Sequence, residues 1–237
     1  MATSSVKDEI LQRHLGLPLH VLSTSSLPWV AIDEVCAELR VRPGARLLDL
    51  ACGRGGYGLE IATRIGARLI GVDFSVEAIT QAAGLAVERG VDADFRVGDL
   101  SSTGLSTASV DGAVCIDSIQ FAERPDAAYA EIRRVLAPGA RVVLTCWEPV
   151  NRRDERLVGR LCQVDLGVGL KDAGFDGVEV VERPAWRASE LEMWEEAASL
   201  DPEDDPALQS FNSEAVRVLE TASLVRRVMA VAIAPGS

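Results

Sequence analysis

The 237-residue chain predicts an α/β fold: a parallel sheet covered by helices on both faces, with ligands at the carboxyl ends of its strands. Three observations carry that expectation. Short apolar runs alternate with amphipathic stretches between residues 46 and 147. A tight run of small residues, Ala51, Gly53, Gly55 and Gly56, follows the first apolar run. Asp49, Asp73, Asp99 and Asp117 fall at the carboxyl ends of four expected strands, a convergence that a scattered acidic surface does not explain.

Taken in order, residues 4–15 read as a helix with Ile10, Leu11 and Leu15 on one side, broken by Leu17-Pro18-Leu19. Ser26 is an expected N-cap and Pro28 suits a first turn, so a second helix is expected over 29–39. Arg42-Pro43-Gly44 punctuates the chain before the first strand. Strands are expected at 46–51, 67–73, 93–98, 110–117 and 140–147. Helices are expected at 57–65, 76–89 (capped by Ser75) and 126–136, the last stopped by Pro138-Gly139. A further helix over 153–173 ends at Gly174, and 178–182 alternates as a strand. Helical signatures at 189–200 and 206–221 flank the acidic turn 201–205, ahead of a final strand at 225–234. No internal repeat or low-complexity segment interrupts this order.

Composition narrows the function. A net charge of −12 argues against a nucleic-acid surface, which relies on clustered Lys and Arg. Arg152, Arg153, Arg156 and Arg160 recur locally and read as a solvated helix face. Five cysteines without a C-x-x-C pair fit neither a disulfide framework nor a zinc site; Cys36, Cys115 and Cys146 read as small core residues. No stretch reads as a signal peptide or reaches transmembrane length, so the expectation is a cytoplasmic protein without a membrane partner.

The glycine turn reads as a nucleotide-type cofactor site, because glycine lets backbone approach a ligand and the following helix offers unpaired N–H groups. Gly53-x-Gly55-x-x-Gly58, with Asp73 further on, also fits the dinucleotide fingerprint of an NAD enzyme. Asp49 pulls the other way: a carboxylate beside a diphosphate is costly, and beside a cation favourable.

Asp49-x-Ala51-x-Gly53-x-Gly55 resembles the first motif of the class I S-adenosylmethionine-dependent methyltransferases, and the similarity continues along most of the chain. Residues 69–75 (LIGVDFS) resemble the second motif, 95–100 (FRVGDL) the third, 110–121 the fourth, and 136–144 the stretch before the fifth strand. The resemblance implies a Rossmann-like, seven-stranded, mostly parallel sheet with the last strand antiparallel and strand 178–182 at its edge. It implies S-adenosylmethionine as cofactor, leaving as S-adenosylhomocysteine. It places Asp49, Ala51, Cys52, Gly53 and Gly55 around the methionine part, and Asp73, with Phe74 and Ser75, at the ribose hydroxyls. Asp99 and Leu100 fall at the adenine, the Asp117 segment beside the cofactor ammonium, and Gln120 within hydrogen-bond reach of cofactor or acceptor. The core would span 45–183 and 225–237, with 1–44 and 184–224 as helical lid segments over one domain.

The implied chemistry is in-line methyl transfer to a small molecule, resembling bacterial secondary-metabolite enzymes, with a hydroxyl as the expected acceptor and a monomer or homodimer as the expected state. Relatives often carry a histidine just after the fourth strand. Here that segment reads Asp117-Ser118-Ile119-Gln120-Phe121, and glutamine cannot abstract a proton. The two histidines, His14 and His20, are therefore the candidate general bases. Tyr57, Trp29, Trp147, Trp186 and Trp194 are candidates to pack on cofactor or acceptor. No metal is expected, because the fifth strand ends Thr145-Cys146-Trp147-Glu148 without the Asp-Asn pair of the family's magnesium-using, catechol-type branch. The missing histidine also leaves open a catalytically silent cofactor-binding subunit, and the glycine fingerprint an NAD-dependent oxidoreductase.

Overall fold

Leu47, Leu48 and Leu50 of the first strand are all buried, because successive side chains point to opposite faces and both faces are covered. Leu47 enters one apolar cluster with helices from both ends of the chain, and Leu48 and Leu50 enter a second on the other side. Val114 and Val143 join the first cluster, while their neighbours Ala113, Cys115, Val142 and Leu144 join the second.

The computed structural model describes residues 4–18, 21, 25–202 and 204–236. In order its elements are α1 (Ser5–Leu15), α2 (Ala31–Leu39), β1 (Arg46–Leu50), α3 (Gly56–Ile65), β2 (Arg68–Asp73), α4 (Val76–Arg89), β3 (Ala93–Val97) and β4 (Val110–Ile116). Then come α5 (Pro125–Val135), β5 (Leu136–Pro149), α6 (Gly159–Cys162), α7 (Leu166–Asp172), β6 (Asp176–Glu182), α8 (Pro184–Ser199), α9 (Pro206–Thr221) and β7 (Val225–Ile233).

The strands form one seven-stranded sheet in the order β3-β2-β1-β4-β5-β7-β6. The first five run parallel, and β7 lies antiparallel between β5 and β6. The expected Rossmann-like sheet, its covered faces and its reversed last strand are borne out. Winding changes direction between β1 and β4, and at such a point the loops leaving two neighbouring strands diverge and open a crevice.

Several local expectations are corrected. Pro138-Gly139 does not stop α5; both lie inside β5, which starts directly after that helix. The helix expected over 153–173 is two short helices, α6 and α7, the second capped by Asp165 accepting from the Val168 N–H at 2.9 Å. Ser26 does not cap α2, which begins at Ala31; its hydroxyl donates instead to Glu190 at 2.9 Å. The cap at Ser75 does form, accepting from the Ala78 N–H at 3.2 Å.

Helices α8 and α9, inserted between β6 and β7, pack on each other and on α1. Trp194 and Phe211 join α8 to α9 with ring centroids 5.4 Å apart. Arg13 and His14 of α1 both bond Glu196 of α8, His14 Nε2 at 2.5 Å. The N-terminal helix and the insertion thus share one cluster with the sheet face they cover.

Candidate functional site

The turn after β1 is bent sharply. Ala51, Gly53 and Gly55 all have positive φ (57°, 52° and 80°), a region that glycine enters freely and alanine only under constraint. Gly55 then opens α3. Two further glycines permit close packing. A Cβ on Gly58 would sit 2.2 Å from Asp49 Oδ2, and one on Gly56 would sit 2.8 Å from Val21 Cγ1. Gly58, read in the sequence as part of a dinucleotide fingerprint, is here the space that the Asp49 carboxylate fills.

Asp49 is 2% exposed, and its carboxylate accepts no hydrogen bond from the described residues. Burial, followed by the charge of Asp73, pushes its pKa from 3.8 up to about 8. Asp73 is differently served: its Oδ2 accepts from the Gly53 N–H at 2.8 Å and its Oδ1 from the Ser75 N–H at 2.9 Å. It therefore ties the β2 end to the glycine turn and keeps lone pairs for further donors.

Across the crevice Asp117 also has positive φ, 52°, and is fixed from several sides. Its N–H donates to the Thr145 carbonyl at 3.0 Å. Its carboxylate accepts from Thr145 Oγ1 at 2.8 Å and Ser25 Oγ at 2.5 Å. Arg227 of β7 meets both of its oxygens, Nη1 to Oδ1 at 2.6 Å and Nη2 to Oδ2 at 2.8 Å. The same guanidinium donates through Nε to Glu190 of α8 at 2.6 Å, and both partners are fully buried.

These groups border a cavity of about 590 Å³ over the glycine turn, in the size range of small-molecule sites. Of the residues anticipated from sequence, Asp49, Ala51, Cys52, Gly53, Asp73, Phe74, Ser75 and Asp117 line it. Gly55, Asp99, Leu100 and Gln120 do not. Asp99 is exposed, its carboxylate taken by the N–H and hydroxyl of Ser101 at 2.8 and 2.6 Å. Gln120 is turned into the sheet edge: its Nε2 donates to the Asp117 carbonyl at 2.7 Å, and its Oε1 faces Cys146 Sγ at 3.3 Å. The opposite wall comes from α1 and α9, through Lys7, Ser210, Phe211 and Glu214.

His14 is not brought to the cavity, because Glu196 holds it between α1 and α8. His20 lies outside the described residues. Tyr57 does line the cavity, but its hydroxyl donates to the Leu27 carbonyl at 2.5 Å, and burial holds the phenol in its protonated form. The tryptophans pack elsewhere. Trp29 lies 6.0 Å from Tyr57, Trp186 donates to Glu34 at 3.0 Å, and Trp147 donates to Glu190 at 2.7 Å.

Arg227 and Glu190 were not singled out from sequence, yet each left a mark there. Arg227 is the one charge among the buried positions of the final strand, which are otherwise apolar, and Glu190 falls on the helical stripe of Trp186, Met193, Trp194 and Ala197. A charge on an apolar stripe is a signal, because buried charges are paired.

Residues 48–144 match the family model described as a methyltransferase domain. The segment is an S-adenosylmethionine-dependent methyltransferase domain. The 24-methylenesterol C-methyltransferase 2 of Oryza sativa subsp. japonica is 34% identical over 162 residues, covering 61% of this chain and 45% of that protein. The chain thus spans less than half the length of that relative. The ubiquinone biosynthesis O-methyltransferase of Xanthomonas oryzae pv. oryzae is 29% identical over 188 residues, 79% of this chain and 73% of that protein. Among solved structures, the [4+2]-cyclase SpnF superposes with a TM-score of 0.70 at 23% identity, over 88% of this chain and 81% of that one. The methyltransferase domain contributes β1 to most of β5 and both flanking acids of the crevice. The α8–α9 pair and β7, and with them Glu190 and Arg227, lie beyond the match.

Proposed function

We propose that the whole chain transfers a methyl group from S-adenosylmethionine to a hydroxyl of a small secondary metabolite, by in-line displacement without a metal. The observation that carries this reading is the buried Asp49 carboxylate in the cavity wall, without a donor among the described residues, a site suited to a cation. Its neighbours fit the rest of the cofactor: Ala51, Cys52 and Gly53 offer backbone, Asp73 and Ser75 polar groups, and Phe74, 79% exposed at the cavity, an aromatic face. Gly55, Asp99, Leu100 and Gln120 would act from outside the wall, by shaping the turn and the adenine end. When bound, the cofactor supplies an electrophilic methyl on a sulfonium. The protein's part is to orient an acceptor against it and to exclude water.

Residues 1–44 and 184–224 act as the lid in this reading, since α1 and α9 supply the wall opposite the glycine turn. Asp117, fixed by Arg227 and Ser25, offers an oxygen that can accept a hydrogen bond from an acceptor hydroxyl. With His14 committed to Glu196, His20 is the proposed proton acceptor; its neighbour Val21 packs on Gly56 at the start of α3. Metal-free chemistry is favoured by Glu148, which is occupied by Arg226 at 2.7 Å and the Leu166 N–H at 2.8 Å. The net charge favours a small-molecule partner over nucleic acid, for a soluble cytoplasmic monomer or homodimer.

The relatives include both O- and C-methyltransferases, so the methylated atom is what the test must decide. Incubation with methyl-labelled cofactor and panels of hydroxylated, amine and carbon-acid metabolites should label hydroxyls, and His20→Ala should slow that transfer. Label on carbon or nitrogen alone would replace the acceptor assignment. Cofactor binding without any transfer would favour a silent binding subunit.

A further inference from the structure

We propose that Arg227 and Glu190 are positioning residues that tie the seating of α8 to the orientation of the Asp117 carboxylate in the cavity wall. Arg227 is 1% exposed on a strand whose other buried members, from Val225 to Val231, are apolar. Nothing in the sheet packing calls for a guanidinium there. What it does is hold two acids from distant segments at once, Asp117 through two nitrogens and Glu190 through the third. Its face lies over Trp147, 5.8 Å from the ring centroid, and Trp147 donates to the second Glu190 oxygen at 2.7 Å. Adjacent serines complete the arrangement: Ser25 donates to Asp117 at 2.5 Å and Ser26 to Glu190 at 2.9 Å.

The consequence is a coupling. Glu190 is wholly buried, and every neighbour bonded to it is a donor, so α8 cannot withdraw without leaving those donors unmatched. Arg227 would then keep only Asp117, and any shift of the guanidinium would leave the orientation of that carboxylate to Thr145 and Ser25 alone. A ligand engaging Asp117 and the seating of α8 therefore bias one equilibrium, and by linkage each strengthens the other. Asp117 has positive φ, so its carboxylate depends on such partners rather than on a relaxed backbone. This rests on the cofactor reading only for the choice of S-adenosylhomocysteine as the probe.

Hydrogen exchange of the α8 amides, with and without saturating S-adenosylhomocysteine, tests the coupling on the full chain. In the wild type the probe should slow α8 exchange by at least about fivefold, the lower end of ordinary coupling. In Glu190→Gln the probe should still bind while that protection is lost, and the same variant should lose the ligand-induced change in Trp147 fluorescence, taken as the difference from Trp147→Phe. Arg227→Lys should retain part of the protection that Arg227→Met loses. Equal protection in wild type and Glu190→Gln would overturn the proposal. If the wild type binds no S-adenosylhomocysteine, the cofactor reading fails instead. The coupling is then read without ligand, where Asp117→Asn should speed α8 exchange and an unchanged rate would overturn it.

Discussion

Asp49, near the end of β1, and Asp117, just after the neighbouring β4, border the same cavity, yet their surroundings are opposite. Asp49 is buried with no donor among the described residues, while Asp117 is gripped by Arg227, Thr145 and Ser25. The first is an unmet demand that a cationic ligand satisfies. The second is already held by donors within the chain, which fix the direction of the oxygens it turns to the cavity. A carboxylate at a strand end is therefore not one kind of object; what its neighbours donate decides whether it awaits a ligand or anchors a lid.

The sharpest way to break this contrast is to remove the anchor. Arg227→Met leaves Asp117 and Glu190 buried without their cation and should cost about 3–5 kcal/mol, read from denaturant unfolding. A loss under about 1 kcal/mol would mean the two acids find other partners or water, as exposed pairs do. On the Asp49 side, Asp73→Ala should weaken S-adenosylhomocysteine binding by about 2–3 kcal/mol, through lost charge-assisted bonds to ligand and lost ties to Gly53 and Ser75. Calorimetry showing unchanged affinity in a folded variant would place the ribose elsewhere. Gly58→Ala is subtler: its methyl must displace the Asp49 carboxylate, at a cost of about 1–3 kcal/mol in stability, with cofactor affinity falling alongside. A variant with native stability and affinity would show that Asp49 can shift at no cost.

How much of this was legible beforehand follows the same contrast. The Asp49–Gly58 turn and Asp73 lie in short contiguous segments, where strand, small residues and helix start within a dozen positions, so local chemistry exposes them. The edge place of β6 and the reversed β7 followed from the resemblance. The Arg227 cluster joins residues 110 positions apart (Asp117) and 37 apart (Glu190), and no local period links them. Helix ends also failed where tertiary contacts decided. Pro138-Gly139 reads as a stop but sits within β5, and Ser26 reads as a cap but bonds Glu190. His14 has chemistry suited to a base, and only the structure reveals that Glu196 holds it away from the cavity wall.

The central claim is that Asp49 awaits a cation, and proton linkage tests it most directly. Without ligand its folded-state pKa of about 8 lies above its ordinary 3.8, so the buried group stays protonated where the unfolded chain is ionised. That contribution to stability is full below about pH 4 and is lost as pH rises toward about 8. An ammonium favours the ionised form, so binding should expel the proton, and affinity should climb by up to about tenfold per unit between about pH 6 and 8. The measurement is calorimetric titration of S-adenosylhomocysteine in buffers of different ionisation enthalpy, on wild type and Asp49→Asn. Proton release in the wild type and none in the variant is the predicted result. Binding that releases no proton and ignores pH, or tighter binding of NAD, would contradict it.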